Sequence, residues 1–168
     1  HALGIAPSRI MSGIRSFPGL AHRMEFVGEV DGVRFVNDSK ATNAQAAEQA
    51  LKTWPKVHWI AGGIAKAEGI EPLEPWFDRI ESAYLIGEAG GDFAKTLKGK
   101  VEVVQCGTLE AAIQAAFDAA RVSTEPSPIV LLSPACASFD QFKDFEARGD
   151  HFRAIVRRLS EQATAPKV

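Results

Sequence analysis

The chain has 168 residues, 46% apolar and 24% charged, which is enough for one well-packed domain and too few for two of ordinary size. Its 19 lysines and arginines nearly cancel 21 aspartates and glutamates, and no stretch gathers five or six like charges, so neither a sequence-independent nucleic-acid binder nor a membrane-surface protein is expected, and the partner should be small. Two cysteines are too few for a disulfide framework, no apolar run is long enough to span a bilayer and no signal peptide opens the chain, so a cytoplasmic protein is the expectation.

The opening segment, "HALGIAPSRIMSGIRSF", lacks an initiator methionine and reads as a short amphipathic helix started at Pro7 and ended before Pro18 and Gly19. Residues 1–18 are therefore expected to be the last helix of a preceding domain, and residues 19–168 a domain of their own. "MEFVGEV" and "VRFVN" flank Asp31 and Gly32, both tolerant of positive φ, which predicts a hairpin. Strand-like runs follow at "VHWIAGG", "SAYLIGE", "VEVVQCG" and "PIVLLSPA", alternating with helical stretches near residues 43–54, 90–98, 108–122 and 140–160. "STEPSP" reads as a loop and "ATAPKV" as a frayed tail. Such alternation predicts an α/β fold in three layers, a mostly parallel sheet covered on both faces with the hairpin as its antiparallel edge.

Ligands bind such sheets beyond the carboxyl ends of the strands, so the strand-to-helix junctions are the places where chemistry is expected. In "NDSKATN", Asn43 is a good cap for the alanine-rich helix, and an acid such as Asp38 can accept two ribose hydroxyls; Asp38 and Lys40 are equally well read as a surface ion pair. "AGGIAKAEG" offers Lys66 after two glycines that let the backbone turn tightly, either a partner for an anion or a solvent-facing lysine. "SPACASFDQFKDFEARGDHF" carries Ser138 three residues before Gln141, a capping-box spacing that predicts a helix start here, its free N–H groups suited to a carboxylate or phosphate. The bland reading is that Ser138 only caps and that Phe139, Phe142, Phe145 and Phe152 are core. There is no phosphate loop of the G-x-x-x-x-G-K-[ST] type, His1, His22, His58 and His151 lack metal-ligand spacing, and Cys136 is better read as a small buried residue than as a nucleophile.

Taken together, "GLAHRMEFV", "GVRFVNDSKATN", "AGG" with its following lysine, and "LLSPACASFDQFKDFEARGDHF" resemble the C-terminal domain of the Mur ligases, nearest their D-glutamate-adding branch. The resemblance covers residues 19–160 and implies a Rossmann-like, dihydrofolate-reductase-like domain of a cytoplasmic peptidoglycan-synthesis enzyme. In that family ATP, with Mg²⁺, phosphorylates the carboxylate of UDP-N-acetylmuramoyl-L-alanine, and the amine of D-glutamate attacks the acyl phosphate. The phosphate loop and the Mg²⁺ ligands belong to a central domain, so a fragment like this one is expected to be inactive alone and to hold no metal. Position by position, the resemblance assigns ATP to Arg23 (phosphates), Asp38 (ribose) and Lys40. It assigns D-glutamate to Thr42, Lys66, Ser138 with the N–H of Phe139, and the ring of Phe145. The chain departs from many relatives at Ile64 and Ala65, between the double glycine and Lys66. Another ligase of the superfamily, such as a folylpolyglutamate synthase or the diaminopimelate-adding enzyme, a non-catalytic nucleotide-binding module, and a structural α/β domain whose loops bind nothing are the alternatives.

Overall fold

The computed structural model describes residues 4–17 and 19–164; the expected domain boundary at Pro18 and the last four residues of the expected tail lie outside them. After helix α1 (Pro7–Ser16), a hairpin pairs β1 (Glu25–Val30) with β2 (Val33–Asn37), the turn at Asp31 and Gly32 taking positive φ at both residues. The remaining elements are α2 (Ala44–Thr53), β3 (Val57–Gly62), a 3₁₀ stretch (Glu71–Arg79), β4 (Ile80–Ile86), α3 (Gly90–Leu97), β5 (Glu102–Gly107), α4 (Leu109–Ala120), β6 (Ile129–Leu132) and α5 (Phe145–Thr164). The six strands form one sheet in the order β1-β2-β6-β3-β4-β5, parallel throughout except for the β1–β2 edge pair.

Strict alternation of side chains assigns the two faces. Trp59, Ala61, Ala83, Leu85, Ile129 and Leu131 pack one way, against α2, the 3₁₀ stretch and α3. Ile60, Tyr84, Ile86, Val130, Leu132 and Phe35 pack the other way, against α4 and α5. The sequence is apolar on both sides of β3 and β6 because both sides are covered. The buried ring of His58 lies within this second core, its Nδ1 3.1 Å from the Tyr84 hydroxyl, and burial lowers its pKa.

Two elements differ from the sequence expectation. The 3₁₀ stretch was hidden by Pro72 and Pro75, which interrupt a helical pattern, yet Leu73 and Phe77 still reach the core. The last helix does not start at Ser138 but at Phe145. Ser138 O accepts only one isolated turn, from the N–H groups of Gln141 (3.1 Å) and Phe142 (2.8 Å). Gln141 does not reach back to complete a capping box, because its Nε2 donates to Gly107 O at 2.7 Å. Asp144 caps instead, its Oδ1 accepting the Ala147 N–H at 2.6 Å. At the other end the helix runs through Thr164, into the segment expected to fray. α1 is exposed along its whole length, with Ile10, Met11 and Ile14 open to solvent.

Candidate functional site

From β2 the chain enters α2 on one face of the sheet, and from neighbouring β6 it enters α5 on the other, so a crevice opens between the two strand ends. Asp38 sits in that crevice. Its N–H continues the ladder to Leu132 O at 2.7 Å, and its side chain, 4% exposed, accepts the Ser133 hydroxyl on Oδ2 (2.7 Å) and the Met24 N–H on Oδ1 (3.1 Å). Burial raises the acid from 3.8 to about 6, and the two hydrogen bonds and the charge of Arg23 offset this only in part. The group is thus mainly ionised at neutral pH, and each carboxylate oxygen keeps a lone pair for a further donor. Arg23, Met24, Asp38, Lys40, Ala41, Ala46 and Gln49 line a pocket of about 300 Å³ here. The structure therefore brings Arg23, Asp38 and Lys40 together. Asp38 and Lys40 are not a surface ion pair, since the acid is buried and the Lys40 ammonium lies 4.8 Å from the centroid of the Phe145 ring. A larger hollow of about 360 Å³ between β1 and α5 is lined by none of these residues.

The second half of the site starts at the end of β3. Gly62 and Gly63 have φ of 124° and 125°, and a Cβ at Gly63 would stand 2.2 Å from Ala137 O, so only glycine fits. That close approach lets Ile64 and Ala137 exchange two backbone hydrogen bonds, at 2.9 and 3.0 Å, a rung outside the sheet that ties the Lys66 loop to the Ser138 loop. Beyond the rung the candidates spread apart. Lys66 is exposed and lines a separate hollow of about 340 Å³ with Glu71, Asp92, Lys95 and Thr96. Ser138 is buried while Phe139, expected as core in the bland reading, is 70% exposed; Phe142 and Phe145 are half-buried and only Phe152 is fully enclosed. Thr42 is half-buried at the foot of α2, its N–H donating to Lys40 O at 2.9 Å, and Asn43 caps that helix as expected, accepting the Ala46 N–H at 2.8 Å. With α5 beginning at Phe145, no helix terminus presents its dipole at Ser138, and any anion received there meets a turn.

Arg148, absent from the sequence reading, joins the two halves. It is 1% exposed, and its Nε and Nη2 donate to Ser39 Oγ (3.0 Å), Ser39 O (2.9 Å) and Cys136 O (3.0 Å), while Nη1 is buried without a partner. Burial lowers its pKa to about 10, which still leaves it charged at neutral pH. The available signal was an arginine followed by glycine in the first turns of α5, where helical periodicity puts both on the inner face. Cys136 is buried and its thiol is pushed up to about 12, so it is no nucleophile at neutral pH. Among the described residues, no three His, Cys, Asp or Glu side chains cluster to hold a metal ion, and no helix is long and apolar enough to cross a membrane.

Residues 22–136 match the family described as "Mur ligase, glutamate ligase domain". The chain is 60% identical over 160 residues to the UDP-N-acetylmuramoylalanine--D-glutamate ligase of Caulobacter vibrioides, covering 95% of this chain and 34% of that protein. It is 54% identical over 164 residues to the protein of the same name from Rhodospirillum rubrum, covering 98% and 34%. The chain thus spans about a third of the length of the curated relatives it matches. Among solved structures, the bifunctional folylpolyglutamate synthase/dihydrofolate synthase of Yersinia pestis superposes with a TM-score of 0.61 at 18% identity over 90% of this chain and 35% of that one, a likeness of fold.

Proposed function

Because the chain belongs to the Mur ligase family, through its glutamate ligase domain, we propose that residues 19–168 are the C-terminal domain of an ATP-dependent ligase adding D-glutamate to UDP-N-acetylmuramoyl-L-alanine in the cytoplasm. The observation that carries this is the convergence of Arg23, Asp38 and Lys40 on one pocket at the β2 end, a cation pair and a buried acid around a space suited to part of a nucleotide. On this reading Asp38 accepts ribose hydroxyls, and Arg23 and Lys40 offset phosphate charge. Lys66 pairs with one carboxylate of D-glutamate and the Ser138 turn, with the Phe139 N–H, receives the other, while Thr42 and Phe145 border the amino acid. ATP transfers its terminal phosphate to the carboxylate of the UDP-sugar substrate, and the amine of D-glutamate displaces it, forming the amide and releasing phosphate. On this reading the Mg²⁺ ligands and most of the UDP-sugar site belong to the rest of the polypeptide, and α1 to the end of the domain before this one.

The test is phosphate release by the full-length polypeptide with ATP, Mg²⁺ and UDP-N-acetylmuramoyl-L-alanine, offering D-glutamate, L-glutamate, lysine and diaminopimelate in turn. Turnover with D-glutamate alone is expected, and none from residues 19–168 by themselves; turnover with another amino acid overturns the substrate, and Mg²⁺-dependent turnover by the fragment overturns the division of labour.

A further inference from the structure

Arg23 sits in a turn that the backbone does not favour. His22 and Met24 on either side both have left-handed φ, 61° and 47°, and neither is the glycine or asparagine that usually accepts it. Two side chains and one backbone N–H, from β1 and from the connection between β2 and α2, hold the turn. Glu25 Oε2 accepts the His22 N–H at 2.9 Å, Asp38 Oδ1 accepts the Met24 N–H at 3.1 Å, and His22 O accepts the Lys40 N–H at 3.0 Å.

The His22 ring is buried, and the groups around it bear on which ring nitrogen donates. Asn37 Oδ1 accepts the Ser39 N–H at 3.2 Å, which identifies the other atom of that amide as the donor. This Nδ2 lies 3.2 Å from Gly149 O, 3.2 Å from Glu25 Oε2 and 3.1 Å from His22 Nδ1. An amide nitrogen offers two hydrogens and accepts none, so Nδ1 cannot donate to it, and this favours the tautomer with its proton on Nε2, which lies 3.7 Å from Asp150 Oδ1. Phe145 meets the ring edge-on at 6.2 Å, and Gly149 leaves it room, since a Cβ there would stand 2.1 Å from Nδ1. Arg153 closes the circuit by pairing with both Glu25 and Asp150.

We propose that His22 is a positioning residue for nucleotide phosphate: clamped as its Nε2–H tautomer between Asn37, Gly149 and Phe145, it holds the strained turn that presents Arg23 to the Asp38 pocket. The proposal rests on the reading of Arg23 as the phosphate-binding arginine.

The test measures ATP and D-glutamate requirements of the full-length ligase for His22→Ala, His22→Asn, Arg23→Ala and the double variant His22→Ala with Arg23→Ala. His22→Ala is expected to raise the ATP requirement about tenfold and leave that for D-glutamate unchanged, the selective loss expected from a displaced positioning group. His22→Asn keeps an acceptor near Nδ1 and tolerates positive φ, so it should restore most of the loss. On the Arg23→Ala background, His22→Ala should cost nothing more. An unchanged ATP requirement in His22→Ala, or losses that add in the double variant, overturns the positioning role alone. A neutral Arg23→Ala overturns the phosphate reading and this proposal with it. Nitrogen-15 NMR of labelled histidine supplies a readout that survives a failure of His22→Ala to fold: an unprotonated Nδ1 at His22 in the wild type is expected, and a protonated one refutes the clamp.

Discussion

The pocket around Asp38 and the ledge that carries Lys66 and Ser138 occupy the same end of the same sheet but are held together differently. In the first, a buried acid is hydrogen-bonded from two elements and two cations stand at the rim of one hollow. In the second, backbone contacts are tight at Gly63 and Ala137, while the side chains beyond them face different spaces. The Asp38 pocket is thus shaped mainly by side chains, whereas the ledge rests on the backbone rung at Ile64 and Ala137, with Arg148 donating to Cys136 O behind it. On the proposed reading, a dicarboxylate arriving at the ledge would have to draw Lys66 and the Ser138 turn around itself, whereas a ribose would meet an acceptor already in place.

This contrast can be broken at several points. Gly63→Ala should have the largest effect, lowering stability by about 3 kcal/mol in thermal or denaturant unfolding, because a Cβ cannot fit against Ala137 O. If the variant unfolds like wild type, the ledge is not held by its backbone. Asp38→Ala in the full-length ligase should raise the ATP requirement by about 10- to 100-fold, the range for losing hydrogen bonds to a charged group, without changing which amino acid is chosen. Lys66→Ala should do the reverse, raising the D-glutamate requirement about tenfold at unchanged ATP requirement. A rise in both would mean that the two halves are coupled more tightly than their geometry indicates.

The smallest effect concerns pH. Because Asp38 is raised from 3.8 to about 6 on folding, the folded chain holds this proton where the unfolded chain does not. The corresponding stability is complete below 3.8 and is lost as pH rises through 6. Asp38→Asn, neutral at every pH, should therefore melt higher than wild type at pH 8 by on the order of 1 kcal/mol, with the advantage fading toward pH 4. Equal melting at both values would show that Asp38 is not desolvated. Ionised Asp38 would then carry no folding cost.

The layer order and the hairpin were legible in the sequence because both depend on local signals, alternating apolar runs and the Asp31 and Gly32 turn. Asp38 was legible as a candidate because it directly follows a strand. The start of α5 was misread because two cap signals lie six residues apart, Ser138 and Asp144, and the choice is settled by a distant acceptor, Gly107 O, which takes the side chain of Gln141. Arg148 offered only its place on the inner face of α5, and His22 gave no signal of a role beside Arg23. Their significance depends on contacts to Ser39, Cys136 and Asn37, which no spacing rule connects to them.

The two cysteines have a practical consequence for watching the ledge assemble. Cys136 is enclosed and Cys106 is half-buried, and desolvation raises both thiols, so alkylating reagents should leave the native fold largely unlabelled at neutral pH. New cysteines at exposed Ala65 and Phe139 would then be modified selectively, and a pair of spin labels or fluorophores there would measure the span of the open ledge. The span should contract when the amino acid is supplied and remain fixed with nucleotide alone.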